Sequence, residues 1–121
     1  MSVMTATSGQ WQKHLIDDNI HIPVSVDTAD LDGDSRLDLV VAAFSDNELV
    51  WYQNQFPTWI KHTLDADATG VTFAYCSDVD GNGTMDVVAN LNRARQVVWY
   101  ENSYSTWTKH IIDTSLIFVR S

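Results

Sequence analysis

The chain has 121 residues, of which 45% are hydrophobic, and its formal net charge at pH 7 is −9. This length and apolar content suffice for one domain of ordinary size with a packed core. Sixteen acidic residues against seven basic ones argue against nucleic acid and anionic membrane surfaces as partners, since both require a cationic face.

Residues 1–10 lack the basic start and apolar stretch of a secretory signal, and we assign them to an N-terminal tail. No stretch of the chain approaches eighteen consecutive apolar residues, so no membrane span is expected. Cys76 is the single cysteine, which excludes a disulfide within the chain.

A sequence repeat begins at residue 11 and runs through most of the chain. The segment Trp-Gln-Lys-His-Leu-Ile-Asp at 11–17 has close counterparts at 59–65 and 107–113, each 48 residues further on. The element Val-Trp-Tyr-x-Asn at 50–54 recurs at 98–102 with the same spacing. Aligning 11–58 with 59–106 gives 14 identities in 48 positions without a gap. The register is fixed by tryptophans and aspartates, so the match indicates a structural repeat.

Within one repeat, four short runs are rich in the β-branched and aromatic residues that favour strands. These runs cover 24–28, 37–44, 48–53 and 58–64, with counterparts at 72–76, 85–91, 96–101 and 106–112. Four strands in a repeat of about forty to fifty residues are typical of a β-propeller blade. The sequence therefore predicts an all-β fold made of propeller blades, each with four antiparallel strands.

This repeat divides the chain into two full blades with partial strands on either side. Residues 11–22 are predicted to be the outer strand of a preceding blade, 23–70 to form blade one, 71–115 blade two, and 116–121 the first strand of a truncated third blade. A propeller needs about four to eight blades to close. Further blades are therefore expected, either from a longer chain or from other copies in a homo-oligomer.

Two acidic nonapeptides follow the first run of each repeat. They read Asp-Leu-Asp-Gly-Asp-Ser-Arg-Leu-Asp at 30–38 and Asp-Val-Asp-Gly-Asn-Gly-Thr-Met-Asp at 78–86, with oxygen-bearing side chains at positions 1, 3, 5 and 9. Alternate oxygens in a tight loop suit a hard cation such as calcium, which takes six to eight oxygen ligands. Solvated acidic turns are the alternative, since Asp, Asn and Gly favour turns without any metal. Mutual repulsion of the carboxylates favours the cation.

An EF-hand also begins with alternating aspartates, but the rest of the pattern is absent. Val41 and Ala89 stand at position 12, where an EF-hand requires a bidentate glutamate. The flanking segments have β-strand composition, whereas an EF-hand loop joins two helices. The pattern therefore excludes an EF-hand.

Together, the nonapeptides, the spacing and the two tryptophan elements resemble the FG-GAP/VCBS repeat family, which includes the integrin-α-like propellers. The resemblance covers about residues 11–120 and implies a calcium-binding propeller module that serves adhesion, protein interaction or scaffolding and has no enzymatic activity. It also implies an extracellular or cell-surface location. The implied calcium ligands are the side chains of Asp30, Asp32, Asp34, Asp38, Asp78, Asp80, Asn82 and Asp86, and the backbone carbonyls of Arg36 and Thr84. Two residues depart from the family pattern, Ser35 in place of glycine and Asn82 in place of a third acid.

The remaining chemically capable residues point to structural roles or to a binding surface. Three histidines recur at one phase of the fourth run, on separate blades, so a shared catalytic or zinc site is not expected. They are His14, His62 and His110. Trp51 and Trp99, each followed by tyrosine, are interpreted as packing between blades. Stacking of these rings on sugars, as in a propeller lectin, is the alternative function, so the partner is a protein or a glycan of unknown identity.

Overall fold

The computed structural model describes residues 1–7 and 10–114, and these residues form ten β-strands and no helix. The strands are β1 (Ser2–Thr7), β2 (Gln10–Leu15), β3 (Pro23–Ala29), β4 (Asp38–Ala43), β5 (Glu48–Gln55), β6 (Thr58–Asp65), β7 (Val71–Ser77), β8 (Asp86–Leu91), β9 (Gln96–Asn102) and β10 (Trp107–Asp113). The prediction of an all-β fold is confirmed. The predicted strand at 116–121 lies outside the described residues.

Strands β3–β4–β5–β6 form one antiparallel sheet (sheet one), and β7–β8–β9–β10 form another (sheet two). Each sheet follows chain order, so every connection joins neighbouring strands. The second strand of each sheet is the most apolar, and all six residues of β4 are buried. Burial on both faces explains why residues 39–43 are a continuous apolar run rather than an alternation of polar and apolar residues. The predicted strands with four per sheet are thus confirmed.

Corresponding positions in the two sheets lie at one constant separation along the chain. Pro23 and Val71, which open the first strands, are 48 residues apart, and so are Asp38 and Asp86, which open the second strands. The register is preserved as well, because Trp51 faces His62 in sheet one and Trp99 faces His110 in sheet two.

Strands β1 and β2 form a two-stranded antiparallel hairpin. The sequence assigned residues 1–10 to a tail, so β1 was not predicted. Its sequence, Ser-Val-Met-Thr-Ala-Thr, lacks the Trp-Tyr pair by which the other third strands were recognised. Val3 faces His14 in this hairpin, and both residues lie 48 positions before Trp51 and His62, which face each other in sheet one. The hairpin therefore has the pairing of β5 with β6.

Two apolar cores lie between these units, and their partners correspond. Four residues of sheet one form the first core, namely Leu39, Val41, Val50 and Tyr52, against Met1, Val3, Ile16, Ile20 and Trp59. The second core joins sheet one to sheet two and contains Leu49, Trp51, Leu64, Ala68 and Trp107, which lie 48 residues after the five partners of the first. The hairpin thus packs on sheet one as sheet one packs on sheet two.

Polar contacts join the units at corresponding places. The Tyr52 hydroxyl donates to Asp17, and the Tyr100 hydroxyl donates to Asp65, each at 2.6 Å. Both tyrosines are buried, so these bonds satisfy hydroxyls that water does not reach.

Among the described residues there is no helix of the length and hydropathy that a membrane span requires.

Candidate metal centres

The two acidic nonapeptides form the connections between the first and second strands of each sheet. Loop one (residues 30–38) joins β3 to β4, and loop two (residues 78–86) joins β7 to β8. In each loop the carboxylates converge, with one oxygen per residue within 4.8 Å of the others. These groups are Asp30, Asp32, Asp34 and Asp38 in loop one, and Asp78, Asp80 and Asp86 in loop two.

Hydrogen bonds to the first aspartate curl each loop into a tight turn. In loop one the Asp30 carboxylate accepts from the backbone amides of Gly33 and Ser35, each at 2.8 Å. In loop two Asp78 accepts from the amides of Asn82 at 3.1 Å and Gly83 at 2.8 Å. The aspartate at position 1 therefore organises the backbone that carries the other oxygens.

The turn requires left-handed backbone at two positions in each loop. Positions 4 and 6 have φ of +81° and +69° in loop one, at Gly33 and Ser35, and +73° and +92° in loop two, at Gly81 and Gly83. Only glycine adopts this region without steric cost. Ser35, the departure noted in the sequence, is therefore a strained residue.

The aspartate at position 9 is buried and joins its loop to the third strand. Asp38 is 0% exposed and accepts from the amides of Leu31 and Asn54, each at 2.8 Å. Asp86 accepts from Val79 at 3.0 Å and from Asn102 at 2.9 Å. Each of these carboxylates thus holds the start of its loop against the third strand of its sheet.

The surroundings in loop one lower the pKa of one carboxylate and raise the pKa of two others. Although burial opposes it, hydrogen bonds from the amides of Ser35 and Gly33 lower the pKa of Asp30. Burial, with the neighbouring charge of Asp34, raises the pKa of Asp32. Burial also raises the pKa of Asp38, and the charges of Asp32 and Asp34 add to this effect. The ionised forms of Asp32 and Asp38 are therefore disfavoured, and a cation held between them would offset this cost.

In loop two, Asp80 is the carboxylate whose pKa is raised. Desolvation, with the charges of Asp86 and Asp78, raises the pKa of Asp80. Asn82 stands where loop one has Asp34, and its side-chain oxygen accepts from the Thr84 amide at 2.9 Å, as the Asp34 oxygen does from Arg36. The amide thus keeps the loop geometry while removing one negative charge.

The donor set fits a hard divalent cation. All the converging groups are oxygens, and a carboxylate has about four lone-pair positions, so oxygens that accept one amide can still bind a cation. The carbonyl ligands at Arg36 and Thr84 remain predictions of the family pattern.

Sequence reasoning missed a glutamine beside loop one. The Gln53 side-chain amide donates to Asp32 at 2.9 Å, and its oxygen lies 3.0 Å from His62 Nε2. The counterpart of Gln53 is Glu101, which lies 2.9 Å from His110 Nε2. Gln53 is the variable residue of the Trp-Tyr-x-Asn element, so its place directly after the repeated aromatic pair was the available signal.

The other candidate residues do not converge on a shared centre. The His62 ring stacks on Trp51 with centroids 4.4 Å apart, while His14 meets Phe56 edge to face. Trp51 packs in the core between the two sheets. Burial raises the pKa of Cys76 to about 12, so its thiol stays protonated and is a poor nucleophile.

Comparison with protein-family models matches part of the sequence to a known repeat. A family model described as an FG-GAP-like repeat matches residues 30–89, which begin at the first aspartate of loop one and include both loops. Comparisons with curated proteins and with solved structures gave no match. The family match confirms the resemblance inferred from the sequence.

Proposed function

Because residues 30–89 of this chain match the FG-GAP-like repeat family, we propose that the chain is a calcium-binding β-propeller repeat module. The two four-stranded sheets are consecutive blades related by a 48-residue repeat, and the hairpin is the outer half of a preceding blade. The matching cores on the two sides of sheet one support this arrangement. Calcium has a structural role in loops one and two.

The observation that carries this proposal is the convergence of carboxylate oxygens at equivalent places in two sheets. Calcium is preferred to magnesium because magnesium keeps several waters and is bound by few protein carboxylates. The residues that hold the ion are the aspartates at positions 1, 3 and 9 of each loop, with Asp34 or Asn82 at position 5. Bound calcium supplies positive charge that offsets the repulsion among them.

The affinity expected for such loops is on the order of 10⁻⁴–10⁻³ M, as in other extracellular modules. That range suits a compartment with abundant calcium, and an extracellular or cell-surface location fits the family. The loops then remain loaded without a specialised calcium signal.

The module serves adhesion, protein interaction or scaffolding and is not an enzyme. Its rigid sheets present turns whose sequences differ between repeats, and such turns commonly carry recognition. The glycan alternative is disfavoured at Trp51, because that ring packs between the sheets and stacks on His62.

Thermal unfolding of the full chain in EDTA, in 5 mM calcium and in 5 mM magnesium tests this proposal. At the expected affinity, 5 mM calcium stabilises by about 1–2 kcal/mol per site. Asp32→Ala and Asp80→Ala each remove one increment, and the double variant removes both. Asp18→Ala, an exposed acid outside the loops, keeps the full response. A parent protein that melts identically in EDTA and calcium refutes calcium binding.

A further inference from the structure

Loops one and two have similar backbones but different surroundings. The ring of Tyr104, in the turn between β9 and β10 of sheet two, lies against Gly33 of loop one. A Cβ at Gly33 would lie 3.1 Å from Tyr104 Cζ, whereas a Cβ at Gly81, the counterpart in loop two, would meet no atom within 4 Å. A side chain of sheet two therefore covers the tip of loop one.

A second contact crosses from sheet two to the start of loop one. The Asn102 side-chain amide donates to the Leu31 carbonyl at 2.7 Å and to the Met85 carbonyl at 3.0 Å. Asn102 is 2% exposed, so this bond is shielded from water. Leu31 is 1% exposed, whereas its loop-two counterpart Val79 is 43% exposed. Loop one is thus anchored on the neighbouring sheet at both its start and its tip.

We propose that Tyr104 and Asn102 of sheet two are positioning residues for the cation of loop one. This proposal rests on the calcium-binding function proposed above. Loop one draws its preorganisation from the next sheet along the chain, whereas loop two, within the described residues, is held by its own sheet alone.

The physical basis is the cost of ordering a loop. A loop held in its binding conformation loses less freedom when the cation arrives, so affinity rises without any new ligand. Because coupling between two equilibria is reciprocal, calcium in loop one also strengthens the docking of the β9–β10 turn on sheet one.

Single-site variants allow each loop to be measured separately by calorimetric titration with calcium chloride. Asp80→Ala leaves loop one as the site, and Asp32→Ala leaves loop two. Tyr104→Ala is then added to each background. We expect the loop-one affinity to fall about 5–10-fold and the loop-two affinity to stay within about twofold.

Two controls separate positioning from general destabilisation. Tyr104→Phe keeps the ring and should retain the loop-one affinity. Phe56→Ala removes the exposed aromatic at the counterpart position of the β5–β6 turn, and should leave loop one unchanged. Because Tyr104 is 58% exposed, its truncation is compatible with folding, unlike truncation of the buried Asn102.

Hydrogen exchange in EDTA gives a readout that needs no cation. Tyr104→Ala should accelerate exchange of the amides in residues 30–38 and leave residues 78–86 unchanged. If Tyr104→Ala changes neither the affinities nor the exchange rates, or changes them equally in both loops, the positioning role is refuted. Such a result leaves the proposed calcium binding intact. No calcium binding by either single-site background refutes the proposed function and this proposal with it.

Discussion

At the scale of single residues, each loop combines aspartates with different tasks. Asp30 turns the backbone, and Asp38 joins the loop to β5 from a buried position. Burial raises the pKa of Asp32, so its ionised form is disfavoured, and the hydrogen bond from the Gln53 amide opposes this effect only in part. Aspartates that look equivalent in the alternating sequence pattern thus have different structural roles.

Ser35 gives a prediction at this scale, because it adopts φ +69° where loop two has Gly83 at +92°. Left-handed backbone costs a non-glycine residue about 1–2 kcal/mol. Glycine removes this strain, but its greater conformational freedom in the unfolded chain cancels part of the gain in stability. Ser35→Gly should therefore stabilise the protein by about 0.5–1 kcal/mol, measured by urea unfolding in EDTA.

The reverse substitution at the equivalent position of loop two is the control for Ser35→Gly. Gly83→Ser should destabilise by a similar amount, since open space surrounds Gly83 and backbone strain is the whole effect. An unchanged or lower stability for Ser35→Gly would show that the serine is not strained.

At the scale of elements, a buried tyrosine of each third strand joins its sheet to the unit before it. Tyr100 donates to Asp65 at the end of β6, and Lys109 lies 3.0 Å from the same carboxylate. Although burial opposes it, these partners lower the pKa of Asp65, and burial with the Asp65 bond raises the pKa of Tyr100. The carboxylate is therefore held ionised between the two sheets.

Tyr100→Phe should destabilise the protein by about 1–2 kcal/mol at pH 7, through loss of a hydrogen bond to a charged group. A lowered folded pKa contributes stability above the unfolded value of 3.8, and this stability is lost as the pH falls through the folded value. The difference between parent and variant should accordingly narrow below about pH 4. Urea unfolding at pH 7 and pH 3 measures it.

Tyr52→Phe is the variant to compare with Tyr100→Phe, because the Tyr52 hydroxyl makes the equivalent hydrogen bond to Asp17. A gap between the parent and Tyr100→Phe that is equal at both pH values would contradict the role of Asp65 ionisation.

At the scale of the whole molecule, the sequence predicted what depends on local composition and spacing. Runs of Val, Trp and Tyr located eight of the ten strands within a few residues, with β2 placed by its Trp-x-Lys-His element. The acidic clusters were equally visible. The contact of Asn102 with Leu31 was not, because it spans 71 residues and depends on how two sheets pack. Strand β1 was missed because its partner, not its own sequence, defines it.

Removing residues 1–9 tests how far that hairpin supports its neighbour. The deletion removes β1, including Met1 and Val3, from the core on sheet one, which should cost about 1–3 kcal/mol in lost apolar burial. Hydrogen exchange should accelerate in β4 and β5 and change little in β8 and β9. Equal acceleration in both sheets would show that stability is shared across the whole chain, and Val3→Ala should give a smaller effect of the same pattern.

The tyrosine–aspartate bonds have a direction, since the donor lies on the later unit and the acceptor on the earlier one. An interface with different faces on its two sides is heterologous, and the same contact can be added again without a two-fold axis. The rotation between successive units then decides the outcome. A rotation that divides the full circle closes the array into a ring, and any other rotation continues it as a helix.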